Sequence, residues 1–248
     1  MVDARTKKSR KSDSDSSTAT ISWELIERVL ASPWVDRIYL WGKPGIGKTR
    51  VAYCKGRIAR GVYAITLTPD LPASELRGHY LPKGGELVWT DGPVVKAMRE
   101  GARLVINELS HGSDDTWAFL YPVLEQAETA RFTLPNTETV TPAPGFNVVC
   151  TDNCPPDDLP PALRDRFDAI LEINEPHPDA LALLSEPLRE VARRGFALED
   201  DRRISLRGWL VLDRLRHELG LGDACLVVFG AERGSQIHDA IVLGGGVR

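Results

Sequence analysis

Short apolar runs alternate with amphipathic segments along the first two thirds of the chain. Each run has the length of a buried strand, and apolar residues at helical spacing separate one run from the next. The predicted strands are 37–41, 62–67, 103–107, 146–150 and 169–173. The predicted helices are a short one that follows Ser22 as its cap, and those at 48–59, 92–100 and 113–126. This alternation is typical of an α/β fold whose parallel sheet is covered on both faces.

Two stretches interrupt the alternation. Residues 79–91 (HYLPKGGELVWTD) and 131–141 (RFTLPNTETVT) both place turn-forming residues between short segments of strand character. This pattern indicates β-hairpins. We therefore expect two hairpins inserted in an α/β core that spans residues 21–175.

The pattern changes again after Pro176, where the strand-like runs stop. Residues 179–194 and 205–218 have mostly helical spacing. The sequence therefore predicts a small helical subdomain at 176–248. Its glycine-rich end, 221–248, has no assignment from the pattern.

Composition and charge limit the classes of partner. The chain has 248 residues, of which 42% are hydrophobic and 27% charged, and its net charge is -4. Residues 1–20 are mainly Ser, Asp, Lys and Arg, which predicts a disordered tail. The lack of a basic excess makes nucleic acid a disfavoured partner, although it leaves a local basic face open. No apolar run reaches the roughly 18–20 residues that span a bilayer, and no signal peptide is visible, so we expect a cytoplasmic protein without membrane association.

A glycine-rich loop carries the clearest chemical signal. Residues 42–49 (GKPGIGKT) fit the pattern G-x-x-x-x-G-K-[ST] between a predicted strand and a predicted helix. In such loops the backbone N–H groups surround phosphate oxygens, the lysine (Lys48) reaches the β- and γ-phosphates, and the hydroxyl (Thr49) binds Mg²⁺. We expect ATP to contact Gly42, Lys43, Pro44, Gly45, Ile46, Gly47, Lys48, Thr49 and Arg50.

A polar pair ends the predicted strand 103–107. A hydrolytic phosphate-loop site usually has an aspartate there, which holds magnesium, followed by a glutamate that orients the attacking water. This chain has Asn107 and Glu108. The amide oxygen of Asn107 can accept a hydrogen bond from a magnesium-bound water, but it carries no negative charge, so we expect weaker magnesium binding. Glu108 is the candidate for polarising water.

Beyond these motifs, the sequence resembles the AAA+ ATPases, and within them the MoxR-type and dynein-related group. The resemblance covers roughly residues 22–220. Its most specific part is 84–108 (GGELVWTDGPVVKAMREGARLVINE), where a hairpin, a W-x-D-G-P phrase and an acidic strand follow one another. Residues 131–152 resemble the second hairpin of the group and the strand after it. The resemblance implies a three-layer αβα core with a parallel sheet, two hairpin inserts and a C-terminal helical lid.

The resemblance also implies roles for further residues. Asn153 corresponds to the sensor-1 asparagine, which helps to position the attacking water. Arg166 corresponds to the arginine finger that acts on a neighbouring subunit's site, with Arg164 as the second choice. Arg207 corresponds to the sensor-2 arginine of the lid. With Glu108, these residues form the predicted catalytic set.

Three functions follow from the resemblance and its departures. The first is an ATP-hydrolysing ring, which the resemblance implies to be hexameric, that acts as a chaperone by remodelling or activating an unidentified protein client. In this function Tyr80, Leu81 and Trp89 either face a pore or pack on neighbouring subunits. The second is a nucleotide-binding assembly or scaffold protein with little turnover, which Asn107 favours. The third is a nucleic-acid motor or loader, for which the hairpins supply only Lys83 and Arg131 as basic residues.

Overall fold

The computed structural model describes residues 21–196 and 204–245. Its strands are, in chain order, β1 (Arg37–Gly42), β2 (Val62–Thr66), β3 (Gly78–Lys83), β4 (Glu86–Asp91), β5 (Arg103–Asn107), β6 (Phe132–Thr133), β7 (Thr139–Val140), β8 (Asn147–Asp152) and β9 (Ala169–Ile173). A parallel sheet has the order β2-β5-β8-β1-β9, and β3–β4 and β6–β7 form two antiparallel hairpins. The predicted parallel sheet and both hairpins are therefore confirmed. The tail at 1–20 lies outside the described residues.

Helices cover the sheet on both faces. They are α1 (Trp23–Ala31), α2 (Lys48–Cys54), α3 (Ala73–Arg77), α4 (Pro93–Glu100), α5 (Asp114–Val123), α6 (Pro161–Arg164), α7 (Pro178–Leu181), α8 (Glu186–Gly195), α9 (Leu206–Leu219), α10 (Leu221–Phe229) and α11 (Ala231–Gly245). Alternate residues of β1 enter different apolar clusters. Ile38 and Leu40 share a cluster with residues of α1, α2, α8 and α9, whereas Tyr39 packs with residues of α4 and α5. The two-sided burial explains why the strands read as continuous apolar runs.

The carboxyl ends of the central strands meet at one edge of the sheet. Asn107 at the end of β5 is paired with Thr151 of β8, and Trp41 of β1 is paired with Asp152, the last residue of β8. All these pairs are parallel. The loops that follow β1, β5 and β8 therefore emerge side by side, which is the edge where ligands bind in open α/β sheets.

Helix α2 is shorter than the sequence pattern predicts. Helical spacing continues to residue 59, but α2 ends at Cys54. Gly56 has a left-handed φ of 83°, and a Cβ atom there would lie 2.3 Å from the carbonyl oxygen of Leu30 in α1. The chain therefore leaves the helical path because of a close approach to α1, a tertiary contact that local spacing does not encode.

A buried arginine fixes the C-terminal end of α2. Arg103, the first residue of β5, is 1% exposed. Its guanidinium donates to the Ala52 and Lys55 carbonyls and to Asn147 Oδ1. Burial, helped by the nearby charge of Arg57, lowers the pKa of Arg103 to about 10. A cation at the C-terminus of a helix is favourable, and this one holds α2 against the sheet.

The C-terminal part contains only helices within its described residues. Residues 221–248, to which the sequence pattern assigned no structure, form α10 and α11 as far as residue 245, where the described residues end. The boundary near residue 175 stays a prediction, because one apolar cluster joins Ile26 and Leu40 of the core to Leu188 and Trp209 of the later helices. Throughout 21–196 and 204–245, every helix falls short of the length and apolar character that a membrane span requires.

Candidate functional site

The glycine-rich loop runs from the end of β1 to the start of α2. Gly42 has φ 137°, and a Cβ atom there would lie 1.8 Å from the carbonyl oxygen of Ile173 in β9. Gly45 has φ 72°, and its Cβ would lie 2.6 Å from Cβ of Ser205. Only glycine tolerates these positions without displacing neighbours. The loop consequently presents backbone rather than side chains at the edge of the sheet, which is the surface that phosphate oxygens require.

Residues of the C-terminal helices hold this loop from outside. The His177 N–H donates to the Ile46 carbonyl at 3.0 Å, and the Leu206 N–H donates to the Gly45 carbonyl at 3.2 Å. His177 precedes α7 and Leu206 begins α9. The starts of two helices of the predicted lid therefore bind directly to the loop. Of the residues after 175, the sequence predicted only Arg207 near the phosphates, and it missed His177.

Lys48 is buried at the start of α2, with 7% of its surface exposed. Its ammonium group donates to the Gly42 and Lys43 carbonyls, both at 2.7 Å, and to Asn153 Oδ1 at 2.9 Å. Burial lowers the pKa of Lys48 to about 8, against the opposing effect of the negative charges of Glu108 and Asp152. The group is thus a desolvated cation whose present partners are neutral oxygens.

Glu108 and Asn153 face each other across the loops after β5 and β8. Asn153 Nδ2 lies 3.3 and 3.4 Å from the two carboxylate oxygens of Glu108. Asn153 therefore connects the Lys48 ammonium to the Glu108 carboxylate. Glu108 has a left-handed backbone, with φ 55° and ψ 51°, a conformation that costs a non-glycine residue about 1–3 kcal/mol and clusters at functional sites.

Asn107 is turned towards its sheet neighbours. Its Nδ2 donates to the Ile65 carbonyl at 3.2 Å, and its Oδ1 accepts from Thr151 Oγ1 at 2.9 Å. One lone pair of Oδ1 is left for a metal-bound water. The role predicted for Asn107 thus stays a prediction, and its Oδ1 is a weaker acceptor for that water than the sequence suggested, because it already accepts from Thr151. Thr49 is exposed in the first turn of α2, and its role in binding Mg²⁺ stays a prediction.

The two finger candidates differ in how firmly the chain holds them. Arg166 forms an ion pair with Glu125 at 2.6 Å, donates to the Tyr121 carbonyl and lies 4.9 Å from the centroid of the Tyr121 ring. Arg164 is paired with Asp157, a residue whose side chain is 84% exposed. The finger role needs a side chain that can reach another subunit. The geometry favours Arg164, the second choice from the sequence, over Arg166.

A cluster of ionisable groups lies behind the loop. Glu27, His177 and Asp179 are close enough for their ligand atoms to share a metal ion. However, His177 Nδ1 accepts from the Asp179 N–H, so Nε2 carries the proton and donates to Glu27, 3.1 Å away. Lys55 Nζ also lies 2.8 Å from Glu27. Because these atoms already have partners and a cation lies among them, the cluster supports the loop rather than a metal.

Together these features define a class of protein. A glycine loop with a buried lysine joins a strand to a helix at the carboxyl edge of a parallel sheet. A glutamate and an asparagine lie beside it, in the loops that follow β5 and β8. This is a phosphate-loop nucleotide-binding protein of the α/β type. The family model described as "AAA domain (dynein-related subfamily)" matches residues 37–167, more than half of the chain. The chain belongs to that family, which confirms the resemblance to the MoxR-type and dynein-related AAA+ group.

The chain is also similar to individual proteins. The chain is 37% identical over 179 residues to Protein NorQ of Paracoccus denitrificans, a match that covers 68% of this chain and 61% of that protein. It is 31% identical over 139 residues to the denitrification regulatory protein NirQ of Pseudomonas aeruginosa, with 54% and 53% covered. A solved structure of a proposed ATPase from Cytophaga hutchinsonii, 20% identical, covers 79% of this chain and 58% of that one with a TM-score of 0.49. Each match spans less than two thirds of the relative.

The depressed pKa of Lys48 predicts a pH dependence of nucleotide affinity. A lysine must be charged to attract phosphate, and with a pKa of about 8 the free protein loses this charge as the pH rises through that value. We expect the Kd for ATP to be about tenfold weaker at pH 9 than at pH 7. Titration with a fluorescent ATP analogue across this range measures the effect. Any affinity that Lys48→Arg retains should not vary with pH, because a guanidinium stays charged; a flat profile for the unmodified chain would contradict the prediction.

Proposed function

We propose that this chain binds ATP with Mg²⁺, hydrolyses the terminal phosphoanhydride and uses the cycle to remodel or activate a protein partner. One observation carries the proposal. The buried Lys48 ammonium, the Asn153 amide and the Glu108 carboxylate form one hydrogen-bonded chain at the carboxyl edge of the sheet. The phosphate-binding cation and the candidate water-polarising base are therefore already adjacent.

Each residue has a defined task in this proposal. Lys48 would exchange its carbonyl partners for phosphate oxygens and would thereby gain an anionic partner for its charge. Thr49 would hold Mg²⁺, which would supply positive charge next to the phosphates. Asn153 orients the attacking water, and Glu108 accepts its hydrogen bond and proton. Arg207, next to the Leu206 that contacts Gly45, carries the signal between the γ-phosphate and the lid.

A ring would complete the site. In this proposal an arginine at the end of α6 stabilises the transition-state charge in a neighbouring subunit, an effect worth about 10³–10⁵ in rate. Such a head-to-tail contact must close into a ring or continue as a filament. The family supports a ring, and we propose a hexamer.

The proposed client is another protein. NirQ is described as a regulatory protein, and we propose that this chain likewise acts on another protein, as a MoxR-like chaperone. The β3–β4 hairpin supports such a role, because Tyr80, Leu81 and Leu87 are 43%, 42% and 70% exposed at its surface. Trp89 packs edge-on against Tyr80 and stiffens the hairpin.

A second candidate function is a nucleotide-binding scaffold with little turnover. Asn107 favours it, because the position that usually holds magnesium carries no charge and its amide is engaged with Ile65 and Thr151. Both candidates share nucleotide binding through Lys48. They differ in whether Glu108 performs chemistry.

Replacing the candidate base separates these functions. Glu108→Gln should leave ATP binding nearly unchanged and lower phosphate release by about 10²–10⁴-fold, because general-base assistance is lost. Steady-state phosphate release with Mg²⁺-ATP and titration with a fluorescent analogue measure the two properties. Glu128→Gln, which neutralises an exposed carboxylate, is the matched control. If the unmodified chain and Glu108→Gln both bind ATP and neither releases phosphate, the scaffold function is correct and the remodelling motor is wrong.

Mixing variants tests the shared site. Arg164→Ala and Arg166→Ala should each retain ATP binding, and the one that removes the finger should lose nearly all turnover. Mixing that variant with Lys48→Ala should restore part of the activity, since one subunit then supplies the lysine and its neighbour the arginine. Phosphate release from the mixture, compared with each variant alone, is the measurement. Absence of recovery, with oligomers present, would contradict a site completed in trans.

A further inference from the structure

A buried carboxylate at the end of β8 has no task in the proposed function. Asp152 is 1% exposed. Its Oδ2 accepts from the Ser110 N–H at 2.6 Å, and its Oδ1 accepts from Ser110 Oγ at 3.0 Å, the Asn153 N–H at 2.7 Å and the Cys154 N–H at 3.1 Å. A carboxylate with this many donors is a strong, fixed acceptor.

The four donors come from two different loops. Ser110 belongs to the turn after β5, which begins with Glu108, whereas Asn153 and Cys154 follow β8. One side chain therefore joins the loop that carries the candidate base to the loop that carries the water-orienting amide. Side chains that bridge two loops in a dry environment fix their relative position, because loss of either partner leaves buried donors unsatisfied.

The turn at Glu108 needs such support. Its left-handed backbone is unfavourable for a residue with a side chain, and such conformations persist only where the surroundings determine them. The Glu108 N–H donates to the Thr151 carbonyl at 2.8 Å, and the His111 N–H donates to the Glu108 carbonyl at 3.0 Å. The bonds from Ser110 to Asp152 complete the set of contacts that hold this turn against β8.

Asp152 is one of two negative charges near the Lys48 ammonium. The end of β5 carries the neutral Asn107, whose pairing partner Thr151 immediately precedes Asp152. The negative charge near the Lys48 ammonium therefore comes from Glu108 and, on the adjacent strand, from Asp152; both act to raise the pKa of Lys48. Asp152 is thus a second carboxylate at this edge of the sheet, and its oxygens are engaged in hydrogen bonds from the two loops.

We propose that Asp152 is a positioning residue, whose carboxylate clamps the turn at 108–110 to residues 153–154 so that Glu108 faces Asn153. The inference rests on the proposed function for what Glu108 and Asn153 do. Both Asp152 oxygens already accept from groups of the two loops, so this role requires no contact with a phosphate. At pH 7, where a Lys48 with a pKa of about 8 is largely charged, the effect of Asp152 should appear in turnover and in the order of the 108–112 loop rather than in nucleotide affinity.

Two substitutions and one control test the clamp. Asp152→Asn places an amide NH₂ where a carboxylate oxygen accepted, and Ser110→Ala removes only the hydroxyl donor. Asp158→Asn removes an exposed carboxylate from the same loop and is the control. For each protein we would measure affinity for a fluorescent ATP analogue, phosphate release, and deuterium exchange of backbone amides at 108–112.

Asp152→Asn should lower kcat by about 10²-fold through misplacement of Glu108, with nucleotide affinity retained and exchange at 108–112 about tenfold faster or more through local opening. Ser110→Ala should also lower kcat and speed exchange at 108–112, but by smaller factors. Asp158→Asn should match the unmodified chain in all three measurements.

Unchanged exchange at 108–112 in Asp152→Asn would overturn the clamp. So would a parallel loss of nucleotide affinity and turnover in both Asp152→Asn and Ser110→Ala, which marks general damage to the fold. If the unmodified chain binds ATP without releasing phosphate, the proposed hydrolysis fails, and the exchange at 108–112 alone then decides the clamp.

Discussion

A desolvated ammonium group at the edge of the sheet constrains the rest of the site. The Lys48 cation has left water, so it must find oxygen partners within the protein. It finds them in two carbonyls of its own loop and in Asn153. The lysine thereby fixes both the shape of the glycine loop and the direction of the Asn153 amide, and through that amide it is connected to Glu108. A phosphate that competes for this cation would alter all three at once.

The same loop also connects the core to the C-terminal helices. Its Gly45 and Ile46 carbonyls accept from Leu206 and His177, at the starts of α9 and α7. His177 in turn packs edge-on against Trp23 of α1, with ring centroids 4.7 Å apart, and donates to Glu27. Backbone hydrogen bonds therefore join the loop directly to these helices, and in the proposed cycle they would transmit a change in the loop. This arrangement gives a physical basis for a lid that responds to the nucleotide.

Features set by local pattern were predictable from the sequence, and features set by tertiary contacts were not. The five sheet strands, both hairpins and the glycine loop follow from apolar runs and turn residues that are contiguous in the chain. The end of α2 depends on Gly56 meeting Leu30, and the orientation of Asn107 depends on Thr151 and Ile65 of neighbouring strands. Likewise, Arg166 contacts Tyr121 of α5 and Glu125 after it, and Asp152 contacts Ser110 in the turn after β5, so a contiguous motif does not show these partners.

Calorimetric titration with ATP and with adenosine tests the central claim, that the Lys48 loop is a triphosphate site, most directly. The account predicts that the unmodified chain binds ATP with Mg²⁺ much more tightly than adenosine, because the phosphates meet the buried cation. It also predicts that Lys48→Ala loses the ATP affinity while its unfolding temperature without nucleotide shows that it is folded. Equal affinity for ATP and adenosine, or full ATP affinity in folded Lys48→Ala, would contradict it.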